Sequence, residues 1–360
     1  MLKRLLFLIF FLKTLQKSDV YFTKKISSTQ MVNMLKKLNI NLTGKIGLKI
    51  HSGEPGGLYF LKPDFLQEIY DYTKGDFLEC NTAYSSVRSN TESHRKLLEE
   101  NGWTKNNRRI VIMDENPSDD FELKVKNGEM IRENFVGGRL KDYDSCVVLS
   151  HFKGHQMGGF GGALKQLSIG FASQKGKTWI HTAGKYTDWK YAMSRAANQE
   201  NFTSAMADAA STIVDYFRNK GQIAFITVMA NISLSCDCAG RSAPAPKIKD
   251  IGILASTDPV AIDRAALDLV KQSLSDKEGV DQLYSQINRL KGENTIDIAA
   301  KIGVGSLEYN LINIDDDEPD SESNEDEDEE EMTITKNNNS KHFIFNKMEL
   351  LFLLLIFIIC

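Results

Sequence analysis

Short runs of β-branched and aromatic residues alternate with amphipathic segments of helical period along most of this chain, and that alternation restricts the fold more than any other feature. Residues 46–50, 77–80, 110–113, 146–149, 223–229, 251–255 and 309–314 read as strands. Between and after them, 63–73, 92–101, 163–172, 202–218, 259–272, 280–290 and 295–302 read as helices. Pro63 opens the first, Gly102 stops the second, and Ser256-Thr-Asp258 caps the fifth. Repeated strand-then-helix order predicts an α/β protein with a mixed, mostly parallel sheet flanked by helices. Segments 121–125 and 130–135 flank Asn127-Gly128, which predicts an added β-hairpin closed by a tight I′ turn.

The length of 360 residues allows one large domain or two lobes, and the polar stretch near 183–200 is either a surface loop or the boundary between them. Charge is uneven: the formal net charge is −4, yet residues 315–331 hold 13 acidic residues of 17, so the rest of the chain is basic. Its lysines and arginines are dispersed and not interleaved with aromatics, which argues against nucleic-acid binding and suits small anionic ligands. Residues 315–340 carry too little apolar surface to fold and predict a disordered acidic stalk. Met1-Leu-Lys-Arg4 and the apolar run after it read as a secretory signal peptide over 1–18. The apolar end of the chain, 341–360, reads as a membrane anchor or the signal for a lipid anchor, with attachment near Asn338, Asn339 and Ser340. The expectation is therefore a membrane-anchored protein of the secretory pathway. Sequons at Asn41, Asn201 and Asn231 are compatible with glycosylation there.

Three segments at predicted strand ends carry the chemistry. His151-Phe-Lys-Gly-His155 runs into Gly158, Gly159, Gly161, Gly162 and Lys165 at a helix start. Imidazoles there can move protons, and Lys153, Lys165 and the glycine backbone can cradle an anion, although this is not the P-loop pattern. Cys236-Asp-Cys238 offers two soft donors that suit zinc or iron, with His155 as a further ligand. The alternative is a disulfide to Cys80 or Cys146. His51-Ser-Gly-Glu54 supplies a further acid/base pair. In an open α/β sheet, residues at strand ends can converge on one crevice. Asp258 and Asp263 read most simply as helix-start carboxylates.

Together, Lys49-Ile-His-Ser-Gly-Glu-Pro-Gly56, the His151–Lys165 segment, Ser235-Cys-Asp-Cys238 and Asp250-Ile-Gly-Ile-Leu-Ala-Ser-Thr-Asp-Pro-Val-Ala-Ile-Asp263 resemble the DUF362 family. The resemblance covers about residues 31–314, closing on Ile302-Gly-Val-Gly-Ser306. It implies kinship with proteins many of which carry a ferredoxin-like cysteine insert between the Gly-rich segment and Cys-Asp-Cys. Residues 175–235 contain no cysteine, so this chain is similar to the insert-less branch and a classical ferredoxin cluster is not expected.

These readings converge on a metal-dependent or redox enzyme acting on a small anionic substrate. Its catalytic candidates are His51, Glu54, His151 and His155; its ligand-binding candidates are Lys153, Gly158, Gly159, Gly161, Gly162 and Lys165; its metal candidates are Cys236, Cys238 and His155. The alternative is a surface-anchored protein that binds an anion without turning it over.

Overall fold

Two stretches of fully buried apolar sequence, β7 (Ser145–His151) and β10 (Ile223–Met229), lie side by side in parallel register at the middle of the sheet, as expected for strands covered on both faces. The structure is a computed structural model and describes residues 17–273 and 276–315. In chain order the other strands are β1 (Ser18–Thr23), β2 (Ile46–Lys49), β3 (Asp76–Glu79), β4 (Ile110–Ile112), β5 (Phe121–Lys124), β6 (Glu133–Val136), β8 (Lys153–His155), β9 (Gly159–Gly161), β11 (Gly252–Ser256) and β12 (Tyr309–Asn313). Eight of them form one sheet in the order β12-β1-β11-β10-β7-β2-β3-β4. Within it β11 alone runs against its neighbours, pairing antiparallel with β10 and β1. The mixed, mostly parallel α/β sheet predicted from the sequence is the fold observed.

Helices cover both faces. Met31, Met34 and Leu35 of α1 (Ser28–Lys37), Ile69 of α2 (Gln67–Thr73) and Leu98 of α3 (Thr91–Glu100) pack with Leu48, Val147 and Ile226 on one side. On the other side Ile213 and Phe217 of α5 (Gln199–Lys220) and Ile262 and Leu267 of α6 (Pro259–Gln272) pack with Val148, Phe225 and Leu254; α4 (Gln174–His181) lies outside that core. Side-chain oxygens start these helices: Asn90 caps α3, Asn198 caps α5, and Asp258 caps α6 with Pro259 in its first turn.

Four elements differ from the sequence reading. The sheet begins at Ser18, upstream of residue 31, because β1 inserts between β11 and β12; α1 was likewise not anticipated. The hairpin β5–β6 exists, but it is not closed at Asn127-Gly128 by a I′ turn. Phe121 pairs with Val136 and Lys124 with Glu133, so the connection is longer. The buried carboxylate of Asp208 on α5 organises it by accepting from the amides of Glu129, Met130 and Ile131. Finally, the segment after the glycines is helical only over Ala163–Lys165 and then widens into a π turn, Gln166–Gly170.

Residues 1–16 of the expected signal, the acidic stretch from 316 onward and the C-terminal anchor lie outside the described residues, while Ser18, the last residue of that expected signal, opens β1. Asp315 is placed, accepting from the Thr23 hydroxyl and the Lys24 amide. Among the described residues no helix is long and apolar enough to cross a membrane.

Candidate functional site

The chain leaves β2 for β3 and β4 on one side and returns for β7 on the other, so the carboxyl ends of β2 and β7 flank a topological switch point, the usual place for a ligand crevice. A cavity of about 280 Å³ is lined by His51 beyond the end of β2, Glu79 at the end of β3, His155 on β8, Lys165, and Cys238 from the loop beyond β10. Asp258 does not join them. It follows β11, the antiparallel strand, and caps α6 while bonding the Ser18 hydroxyl and the Ser306 amide.

Cys236 and Cys238 are free, as are Cys80 and Cys146, so the disulfide alternative is not observed. The donor atoms of His155, Cys236 and Cys238 all lie within 4.8 Å of one another. Lys165 Nζ stands 4.0 Å from Cys236 Sγ, and the Cys238 amide donates to the same sulfur. Burial opposes ionisation of Cys236, but the Cys238 hydrogen bond, Lys165 and His155 hold its thiol well below the ordinary range. The bond to Cys236, and then burial, push Cys238 well above it. The pair therefore shares one proton, and the Lys165 ammonium and the Cys238 amide both face the Cys236 sulfur. The His155 ring is kept neutral by burial and then by Lys165. Its Nδ1 accepts from the amides of Met157 (3.2 Å) and Gly158 (2.9 Å). The proton of the neutral ring then sits on Nε2.

The residue between the two cysteines anchors the loop. Asp237 is buried, faces His151 Nδ1 at 3.0 Å and accepts from Lys153 Nζ at 2.5 Å. The other nitrogen of His151 faces the Ala230 carbonyl at 2.7 Å, which fixes the ring on both sides. Burial disfavours the Asp237 carboxylate, but His151 and Lys153 outweigh it and hold the group well below the usual range. His151 and Lys153 are thus consumed in positioning the Cys-Asp-Cys loop. Neither lines the cavity, which separates them from the catalytic and ligand-binding roles their spacing suggested. The loop closes through Gly240, whose backbone (φ 55°, ψ −129°) is open to glycine alone. A Cβ there would stand 3.1 Å from Glu54 Cβ and the Pro55 carbonyl.

Glu54 is also spoken for. Its Oε1 accepts from Tyr84 (2.7 Å) and from Arg88 (3.1 Å), inside a buried network in which Glu79 pairs with Arg88 (3.0 Å) and Lys49 (3.1 Å). A carboxylate so engaged is a poor general base, and Glu54 does not line the cavity. His51 does line the cavity, neutral because burial and then Arg88 push it down to about 3.

The glycines fill a packing role. Gly159, at φ 80°, lies against Gly292 and Ile287, and Gly161 lies against Lys153. The helix start beyond them is not open to an anion. The buried carboxylate of Asp263 already takes the Ala163 (2.7 Å) and Leu164 (2.9 Å) amides, and a Cβ on Gly162 would strike it. Of the anion cradle read from the sequence, Lys165 faces the cavity and the glycines do not. Residues that sequence reasoning did not single out complete the lining: Tyr84, Arg88, Gln166, Lys177 and His181. Their only signal was position, since Lys177 and His181 recur one turn apart on a helix.

Fold and cavity define an α/β protein with a ligand-sized crevice at the switch point of its sheet. The family described as a domain of unknown function, DUF362, matches residues 46–268, and the chain belongs to that family. No curated protein matches the sequence. Among solved structures, the lactate racemase apoprotein from Thermoanaerobacterium thermosaccharolyticum is similar at 13% identity and a TM-score of 0.39, over 72% of this chain and 58% of that one. A protein from Thermotoga maritima is similar at 13% identity and a TM-score of 0.35, over 76% and 58%. The chain thus spans under two thirds of either protein.

Proposed function

We propose that the protein is a metal-dependent enzyme acting on a small anionic substrate, with a transition metal held by Cys236, Cys238 and His155 at the edge of the cavity. The observation that carries this reading is the convergence of two thiol sulfurs and an imidazole within 4.8 Å, two of the three residues lining a cleft. Two sulfurs and a nitrogen form a soft donor set that fits zinc or ferrous iron and leaves a coordination position for substrate. A metal so held would supply Lewis acidity. Lys165 would offset negative charge at the sulfurs, and Asp237 with His151 and Lys153 would fix the loop.

A second reading is favoured by one observation. Because Nδ1 of His155 accepts from two amides, the other ring nitrogen carries the proton and has no lone pair to offer a metal. That is the arrangement of a metal-free thiolate site, in which Cys236 is the nucleophile and His155 its partner. Metal ligation through Nε2 would oblige the ring to give up both amide bonds.

Elemental analysis of the full chain, purified without chelator, separates the two. The metal reading expects about one zinc or iron per chain, lost in Cys236→Ser/Cys238→Ser, and faster amide exchange at Met157 and Gly158 on loading. Equal, near-zero metal in both proteins, with alkylation of Cys236 by iodoacetamide persisting at mildly acidic pH, overturns it in favour of the thiolate.

A further inference from the structure

Three of the buried cations near the cavity are already neutralised. Arg88 serves Glu54 and Glu79, Lys49 serves Glu79, and Lys153 serves Asp237. Lys165 and Lys177 are different: both line the cavity, and among the described residues neither pairs with a carboxylate. Lys177 Nζ rests on the Ala172 carbonyl at 2.5 Å. One turn along the same helix, His181 stacks on Phe202 with ring centroids 4.8 Å apart, which fixes its plane. Its Nδ1 is buried and finds no hydrogen-bond partner among the described residues, an orphan that a ligand atom would satisfy. Lys165 and Lys177 are both close enough to bear electrostatically on this ring.

We propose that Lys165, Lys177 and His181 form an oxyanion subsite on one wall of the cavity, which seats the carboxylate or phosphate group of the substrate. It rests on the reading of the cavity as a substrate site and adds to it the residues that hold the anion. Two side-chain ammoniums and an imidazole do here what a helix start does elsewhere, because the amides of Ala163 and Leu164 are spent on Asp263. The substrate's charged group would thus lie beside the sulfur pair, since Lys165 borders both. A cavity of about 280 Å³ lies at the small end of ligand pockets, which suits a small acid.

Calorimetric titration of the full chain with sodium acetate, sodium oxalate and inorganic phosphate, each with and without EDTA, tests this. At least one probe should bind saturably. Its affinity should fall at least about tenfold in Lys177→Met and His181→Phe and recover to within about threefold in Lys177→Arg, with circular dichroism showing each variant folded. Tighter phosphate identifies a phosphate ester, and tighter carboxylates an organic acid. Binding that survives EDTA and depends on Lys177 supports the subsite even if the protein carries no metal. The proposal is overturned if no probe saturates, if Lys177→Met binds as the wild type does, or if EDTA abolishes binding, which would place the anion on the metal.

Discussion

Asp237 shows how a single carboxylate decides what its neighbours are free to do. It engages His151 and Lys153 in a buried triad, so removing one oxygen leaves an uncompensated cation. Asp237→Asn should cost roughly 3–5 kcal/mol in urea unfolding; a loss under about 1 kcal/mol would show that the triad does not hold the loop. The buried titratable groups also set an acid limit. His51, His94 and His181 are pushed down to about 3 by burial and, after it, by Arg88 for the first two and by His155 and then Lys165 for the third. Each contributes stability that is present above pH 6.5 and lost as pH falls towards 3, about 2 kcal/mol apiece between pH 7 and 5. Asp263 opposes them. Burial pushes its carboxyl up to about 7, so its contribution is full below pH 4 and lost as pH rises through 7, and it returns about 2 kcal/mol over the same interval. The histidines win, and the melting temperature should be lower at pH 5 than at pH 7; the reverse order would mean these rings are not buried and neutral. His51, His155 and the cysteines stood out in the sequence as residue types with chemistry. Asp237, Lys177 and His181 did not, because an isolated polar residue gains its role only from the surfaces that bury it.

At the level of elements, periodicity located most helices and strands, while connections were poorly legible. The Asn127-Gly128 pair has the composition of a tight turn, but Asp208, 80 positions away, captures the amides around it. Nor could a sequence motif reveal that Asp263 caps the helix start at Ala163, since the two lie 100 residues apart. The element most sensitive to change is the Cys-Asp-Cys loop, closed by the left-handed backbone of Gly240. Gly240→Ala should cost roughly 1–3 kcal/mol in chemical denaturation. It should also loosen the loop against Glu54 and Pro55 and raise the alkylation rate of Cys238, while the sheet amides keep their exchange protection. Unchanged thiol reactivity would show that the loop does not depend on this glycine.

For the whole molecule, alternation of strand and helix announced a sheet, but not its order. The crevice exists because β7 returns to the far side of β2, bringing the turns after β2, β3, β7 and β10 to one rim. The reversal of β11, which no local pattern encodes, sends Asp258 away from that rim and into a structural role. Family and fold are thus defined, and the central claim concerns what occupies the rim. Cobalt(II) titration of the chelator-treated full chain tests it most directly, because thiolate-to-cobalt charge transfer reports sulfur ligation alone. The account predicts a saturable band at one equivalent, weakened by about half in Cys236→Ser or Cys238→Ser and absent from the double variant. A wild-type protein that shows no such band, or one unchanged in the double variant, would contradict it.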